Sequence, residues 1–212
     1  MRPGMMTRFL VAALLAAAAA PALSQPGPAP APAPATSAEL VPVAIDTSAG
    51  RIVVALDKTH APVTTANFLR YVDAHRYDGE TIYRAMHQPG GGAGDGLIQG
   101  GITSDARKLY PPIKHEPTSE TGLHNVAGAI SLANAGPGTA RADFFILASD
   151  IPALDSTTDD AGFAVFGHVV EGMDVVKKIL ASPVSETKGT GAMKGQMLEP
   201  PVKIVKAARV NP

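Results

Sequence analysis

From about residue 40 onward the apolar positions fall mostly into short β-rich runs, and two stretches show helical spacing instead. Val41 to Thr47 and Arg51 to Leu56 are separated by Ser48-Ala49-Gly50, which predicts a hairpin. Pro62 suits the first turn of a helix. Phe68, Leu69, Tyr71 and Val72 follow at helical spacing, so a helix is expected over Pro62 to Ala74, with Thr64, Thr65 or Asn67 contributing near its cap. Further strands are expected at Thr81 to Met86, Leu97 to Gln99, Ala129 to Leu132, Phe144 to Leu147 and Val165 to Val170. Glu171-Gly172-Met173 leads into a second helix, Asp174 to Leu180, with Asp174 at its positive end. Val202 to Val210 reads as the final strand. About eight strands and two helices in one domain, 37–212, predict a closed barrel or a sandwich.

The pattern upstream is different. Arg2 and Arg8 give a positive start, Phe9 to Ala20 is a continuous apolar run of 12 residues, and Ala22-Leu23-Ser24 places small residues at the two positions a signal peptidase reads. The run is short for a ~30 Å hydrocarbon core. A secretory signal peptide over 1–24 is expected, hence a periplasmic or secreted protein with no stable membrane span after cleavage. Residues 25–36, QPGPAPAPAPAT, alternate proline with alanine and read as an extended spacer with nothing to bury.

Composition narrows the chemistry. The chain is 45% apolar and 17% charged, as expected of a globular core. Its formal net charge is −1; without residues 1–24, which carry two arginines and no acid, 16 basic residues face 19 acidic ones. No basic excess points to nucleic acid. There are no cysteines, so disulfides, thiolate nucleophiles and zinc–thiolate sites are excluded.

The stretch TIYRAMHQPGGGAGDGLIQGG, residues 81–101, holds seven glycines. It fits neither G-x-G-x-x-G nor a Walker loop, and it leads into a strand-like run rather than the helix a phosphate cradle needs. Glycine permissiveness accounts for a mobile connection, but it does not account for Arg84 and Gln99 on either side. The six histidines form no H-E-x-x-H motif, and there is no G-x-S-x-G elbow. Neither a metal nor a cofactor is expected.

Four stretches read together carry a resemblance. They are Tyr83-Arg84 with Leu97-Ile98-Gln99-Gly100-Gly101, then Gly128-Ala129-Ile130-Ser131-Leu132-Ala133-Asn134-Ala135-Gly136-Pro137, then Asp143-Phe144-Phe145-Ile146, and Val165-Phe166-Gly167-His168-Val169. They resemble the cyclophilin-type peptidyl-prolyl cis-trans isomerases, whose signatures run F-H-R-V, F-M-I-Q-G-G, S-M-A-N-A-G-P, Q-F-F-I and V-F-G-x-V. The resemblance implies an eight-stranded antiparallel barrel capped by two helices, with a groove on its outer face. By motif position it makes Arg84 the catalytic arginine and Gln99 its polar companion. Leu97, Phe145 and Leu154 would line the proline pocket, and Ala133 and Asn134 would offer backbone groups to the residue before the proline. The implied partners are proline-containing segments of exported proteins, the implied state a monomer.

The chain departs from the family pattern in the groove. Gly96 stands where the family has a phenylalanine, Asp143 where it has a glutamine, Ala153 at its tryptophan position and Phe163 at its histidine position. Asp143 is expected to pair with Arg84, and Phe163 to return apolar area that Gly96 removes. The expectation is an isomerase of reduced strength; the alternative is a barrel of the same fold that grips proline segments without turning them over.

Overall fold

The computed structural model describes residues 37–210; the expected signal peptide and spacer lie outside them. The elements in chain order are β1 (Leu40–Thr47), β2 (Gly50–Asp57), α1 (Pro62–Asp73), β3 (Thr81–His87), β4 (Gly96–Gly101), α2 (Thr118–Thr121), β5 (Ala129–Leu132), β6 (Phe144–Leu147), β7 (Ala164–Glu171), α3 (Met173–Leu180), β8 (Val184–Ser185) and β9 (Met197–Arg209). Short 3-10 turns occupy Ala106–Lys108, Pro152–Leu154 and Gly191–Met193. The strands run in the order β1-β2-β7-β5-β6-β4-β3-β9-β8, and β9 pairs back onto β1. Eight antiparallel strands thus close a barrel, and two-residue β8 is an appendage on β9. Closure removes the free edges an open sheet would expose.

Alternation along the strands gives the barrel two apolar faces. On β6, Phe144 and Ile146 point inward, into a core with Val43, Ile52, Phe68, Ile98, Ile130 and Phe166. Phe145 and Leu147 point outward and join Leu97, Ala129, Ile151 and Val165. The interior is closed at one end by aromatic packing: Phe68 of α1 meets Phe144 edge-on at 5.4 Å, and Tyr77 meets Phe144 at 5.6 Å. The buried Tyr77 hydroxyl donates to the Ala142 carbonyl at 2.8 Å. Each such ring is worth about 1.5–3 kcal/mol of burial. The second apolar cluster, on the outside, is where the site forms.

Three differences from the sequence reading have local causes. Helix α1 is not capped by Thr64, Thr65 or Asn67; its N-cap residue is Ala61, whose methyl group makes no capping hydrogen bond. Glu116, far along the chain, accepts from the amides of Val63 (3.0 Å) and Thr64 (2.8 Å) and from the Thr64 hydroxyl (2.7 Å). A carboxylate there satisfies free amides and meets the positive end of the helix. The last strand begins at Met197 rather than Val202, because its pairing with β3 jumps from Arg84–Met197 to Ile82–Val202 and leaves Pro200 and Pro201, which have no amide to donate, out of that ladder. The four-residue helix α2, ended by Gly122 in the left-handed region, is too short to show a period.

Candidate active site

A bulge in β3 builds the site. Ile82 pairs with Gly100 and Arg84 with Gln99, so Tyr83 is an extra residue in its strand. Ile82 and Ala85 are buried in the barrel, while Tyr83 and Arg84 both lie on the outer face. A regular strand would have sent one of the two inward; the bulge re-aims a side chain next to a cleft.

Arg84 is half-buried and held on two sides. Its Nε donates to Gln196 Oε1 at 2.8 Å, and its Nη1 donates to Gln99 Oε1 at 2.7 Å. A guanidinium carries five N–H donors. Three therefore remain without a partner among the described residues, in a groove that Arg84 lines. Burial pulls its pKa below the usual guanidinium value, while the neighbouring Tyr83 raises it; an arginine remains charged. Gln99 in turn donates from Nε2 to the Tyr83 hydroxyl at 2.9 Å.

The groove beside the guanidinium has a volume of about 330 Å³. Leu97 and Gln99 come from β4, Phe145 from β6, and Ala133 and Asn134 from the loop after β5. Leu154 and Phe163 close the other side. Phe163 stands edge-on to Phe145, centroids 5.2 Å apart and planes at 86°, and its amide donates to the Leu154 carbonyl at 3.0 Å. Behind Leu154, Asp155 accepts from the Asn125 amide and side chain at 2.8 and 2.7 Å, fixing the turn.

Eight of the nine residues read from the sequence thus line one groove; Asp143 lies in an adjoining hollow of about 290 Å³ that shares Gln99, Ala133 and Asn134 with it. The expected Asp143–Arg84 pair is not formed, since the arginine's side-chain partners are two glutamine oxygens. Asp143 sits instead beside Tyr83, its Oδ1 buried and unpaired. Burial pushes its pKa up to about 6; the Tyr83 hydroxyl lowers it and the negative charge of Glu80 adds to the rise. At Ala133 the amide is spent on the Asp143 carbonyl at 2.8 Å. The Asn134 amide and the two carbonyls are the groups left to meet a peptide.

Gly96 is more than a missing aromatic. Its φ is +145°, and a Cβ there would lie 1.9 Å from the Met86 carbonyl oxygen. Met86 of β3, two residues beyond Arg84, lines the groove beside Leu97. Ala153 is exposed and lines neither hollow, although Leu154 beside it does. Met86, Ala192, Met193 and Gln196 were not expected in the site. The two-residue period on β3 would have found Met86; the segment 186–196 has no period that would have found the others.

Comparison with known proteins agrees with this architecture. The family model for cyclophilin type peptidyl-prolyl cis-trans isomerases matches residues 42–209. A peptidyl-prolyl cis-trans isomerase A of Dickeya dadantii is 40% identical over 141 residues, covering 65% of this chain and 70% of that protein. One from Acinetobacter baylyi is 34% identical over 167 residues, covering 77% of this chain and 82% of that protein. A Cryptosporidium parvum cyclophilin crystal structure superposes with a TM-score of 0.64 at 20% identity, covering 82% of this chain and all of that one, a likeness of fold. The chain belongs to the cyclophilin-type peptidyl-prolyl cis-trans isomerases.

Proposed function

We propose that this protein accelerates rotation about X-Pro bonds in exported polypeptides, with Arg84 as the group that stabilises the twisted amide. The observation that carries the reading is the Arg84 guanidinium, fixed by two glutamine oxygens with three donors spare, beside the apolar surface of Leu97, Phe145, Leu154 and Phe163.

The chemistry follows from the bond. Partial double-bond character gives a rotation barrier of ~18–20 kcal/mol, and uncatalysed X-Pro exchange takes tens to hundreds of seconds. In the twisted state conjugation is lost and the prolyl nitrogen becomes pyramidal, with a lone pair able to accept a hydrogen bond. A donor that meets that lone pair binds the twisted state and not the planar ground state, the condition for raising the rate. The apolar pocket holds the prolyl ring while the acyl side turns, and the Asn134 amide with the Ala133 and Asn134 carbonyls holds the chain before it. No bond to the protein forms, and no proton need be transferred.

The export reading comes from residues 1–24, with 25–36 as the spacer. It predicts that the protein expressed in a bacterium is recovered outside the cytoplasm with Gln25 at its N-terminus; recovery of the intact chain in the cytoplasm would remove it. Activity is tested separately by exchange NMR on an Ala-Pro peptide. Exchange between cis and trans peaks on adding the protein supports catalysis. Peptide shifts without exchange would instead make the groove a binding site only.

A further inference from the structure

The bulge that re-aims Arg84 also interrupts the ladder beside it. The pairing of β3 with β9 jumps from Ile82–Val202 to Arg84–Met197, so the strand loses its regular partners where the arginine leaves it. Gln196, the residue just ahead of β9, bridges that gap twice. Its backbone carbonyl accepts from the Ala85 amide at 2.9 Å, and its side-chain Oε1 accepts from Arg84 Nε at 2.8 Å. One residue thus holds the backbone beyond Arg84 and the guanidinium itself.

The segment 186–196 is folded to bring it there. The Gln196 amide donates to the Met193 carbonyl at 3.1 Å, and the Gly195 amide donates to the Lys188 carbonyl at 2.9 Å, which closes the segment at its base. Gly189 has a φ of +92°, and a Cβ there would lie 2.3 Å from the Met193 carbonyl oxygen. Glycine admits both the angle and the close approach. Ala192 and Met193 of the same segment line the groove.

We infer that Gln196 is a positioning residue for Arg84, fixing the plane of the guanidinium so that its unspent donors face the groove. The inference rests on the reading of Arg84 as the catalytic donor.

Gln99 alone holds the arginine at Nη1. A planar group held at one nitrogen still pivots about that contact. A second acceptor on Nε removes the pivot, and among the described residues it leaves Nη2 with both donors unspent. A neutral acceptor suits this task. A carboxylate at the same place could pair side-on with Nε and Nη2 together and take up the donors the reaction needs. Placement matters because a shift of about 1 Å at a catalytic group can cost about 100-fold in rate.

The experiment measures kcat and KM on an uncharged Ala-Pro peptide at pH 8 for wild type, Gln196→Leu, Gln196→Ala, Arg84→Ala and the Arg84→Ala/Gln196→Leu double variant, with a melting temperature for each. It also follows the side-chain Nε–H resonance of Arg84 by 15N NMR, assigned by its absence from Arg84→Ala. Both single Gln196 variants keep the carbonyl that accepts from Ala85 and are expected to fold. Their kcat should fall about tenfold to 100-fold with KM within about twofold of wild type. The Arg84 Nε–H should exchange with solvent about tenfold faster or more, since its charge-assisted bond is gone. In the Arg84→Ala background the Gln196 change should cost no further activity, because a residue that acts through Arg84 has nothing left to place. A kcat within about twofold of wild type in both Gln196 variants, an unchanged Arg84 Nε–H, an equal loss in the Arg84→Ala background, or a failure of both variants to fold overturns the inference. Retained activity in Arg84→Ala would overturn the catalytic reading of that residue instead; its loss alongside a wild-type kcat in the Gln196 variants would remove only the positioning role.

Discussion

Replacing Asp143 by asparagine should stabilise the protein, and only at neutral and alkaline pH. Asparagine keeps the shape that fits against Gly101 and removes the charge. The carboxyl's pKa rises from an ordinary 3.8 in the unfolded chain to about 6 in the folded one, chiefly through burial. At 1.36 kcal/mol per pH unit the ionised group opposes folding by about 3 kcal/mol. The sign follows from where the proton binds more tightly. Above pH 6 the carboxyl is ionised in both states and the full penalty is present. As pH falls through 6 the folded state takes up its proton first and the penalty shrinks. Below 3.8 both states are protonated and it is gone. The Asp143→Asn gain should therefore be about 3 kcal/mol at pH 8, or about 6–12 °C in Tm for a domain of this size, and close to zero at pH 3.5. Urea unfolding of both proteins at the two pH values measures it. A gain of equal size at both, or none at pH 8, would refute the argument that burial of the charge sets this group's behaviour.

Glu116→Ala strips the remote cap from α1 and should lower unfolding free energy by about 2–3 kcal/mol, since hydrogen bonds to a charged group and a helix-end charge are lost together; urea denaturation reads it. Gly96→Ala forces a Cβ against the Met86 carbonyl at a left-handed φ and should cost about 1–3 kcal/mol or more, so an aromatic cannot be installed at 96 without first moving the strand; differential scanning calorimetry decides. His75→Gly should stabilise by about 0.5–1 kcal/mol, because His75 ends α1 at φ +53° with its amide bonded to Val72 and the next amide bonded to Tyr71; a thermal melt unchanged or lowered would contradict this.

Much of the barrel was legible because its strands report on their neighbours through local pattern. Ala129–Leu132 and Phe144–Leu147 fall where the apolar runs place them, since each is short, buried on both faces and bounded by turn residues. The groove was legible through motif order: Arg84, Leu97, Gln99, Ala133, Asn134, Phe145, Leu154 and Phe163 converge although they come from separate parts of the chain. What could not be read are the contacts that need the fold to exist first. Glu116 caps α1 through the amide of Val63, 53 residues before it, and Gln196 reaches Arg84 from a segment with no pattern of its own. Asp143 was misplaced for a related reason. Opposite charge suggested a pair with Arg84, but the strand bulge put Tyr83 on the same face, and Gln99, directly across from Arg84, took the arginine.

The central claim is that Arg84 supplies the stabilisation of the twisted amide. A protease-coupled assay on an Ala-Pro peptide at pH 8, comparing wild type with Arg84→Ala at matched folding by circular dichroism, tests it most directly. Loss of a single aligned donor in a protected site corresponds to about 100-fold or more in kcat, and a drop of that order in a folded variant is the expected result. An Arg84→Ala variant that turns over the peptide within about twofold of wild type, far short of that loss, would contradict it.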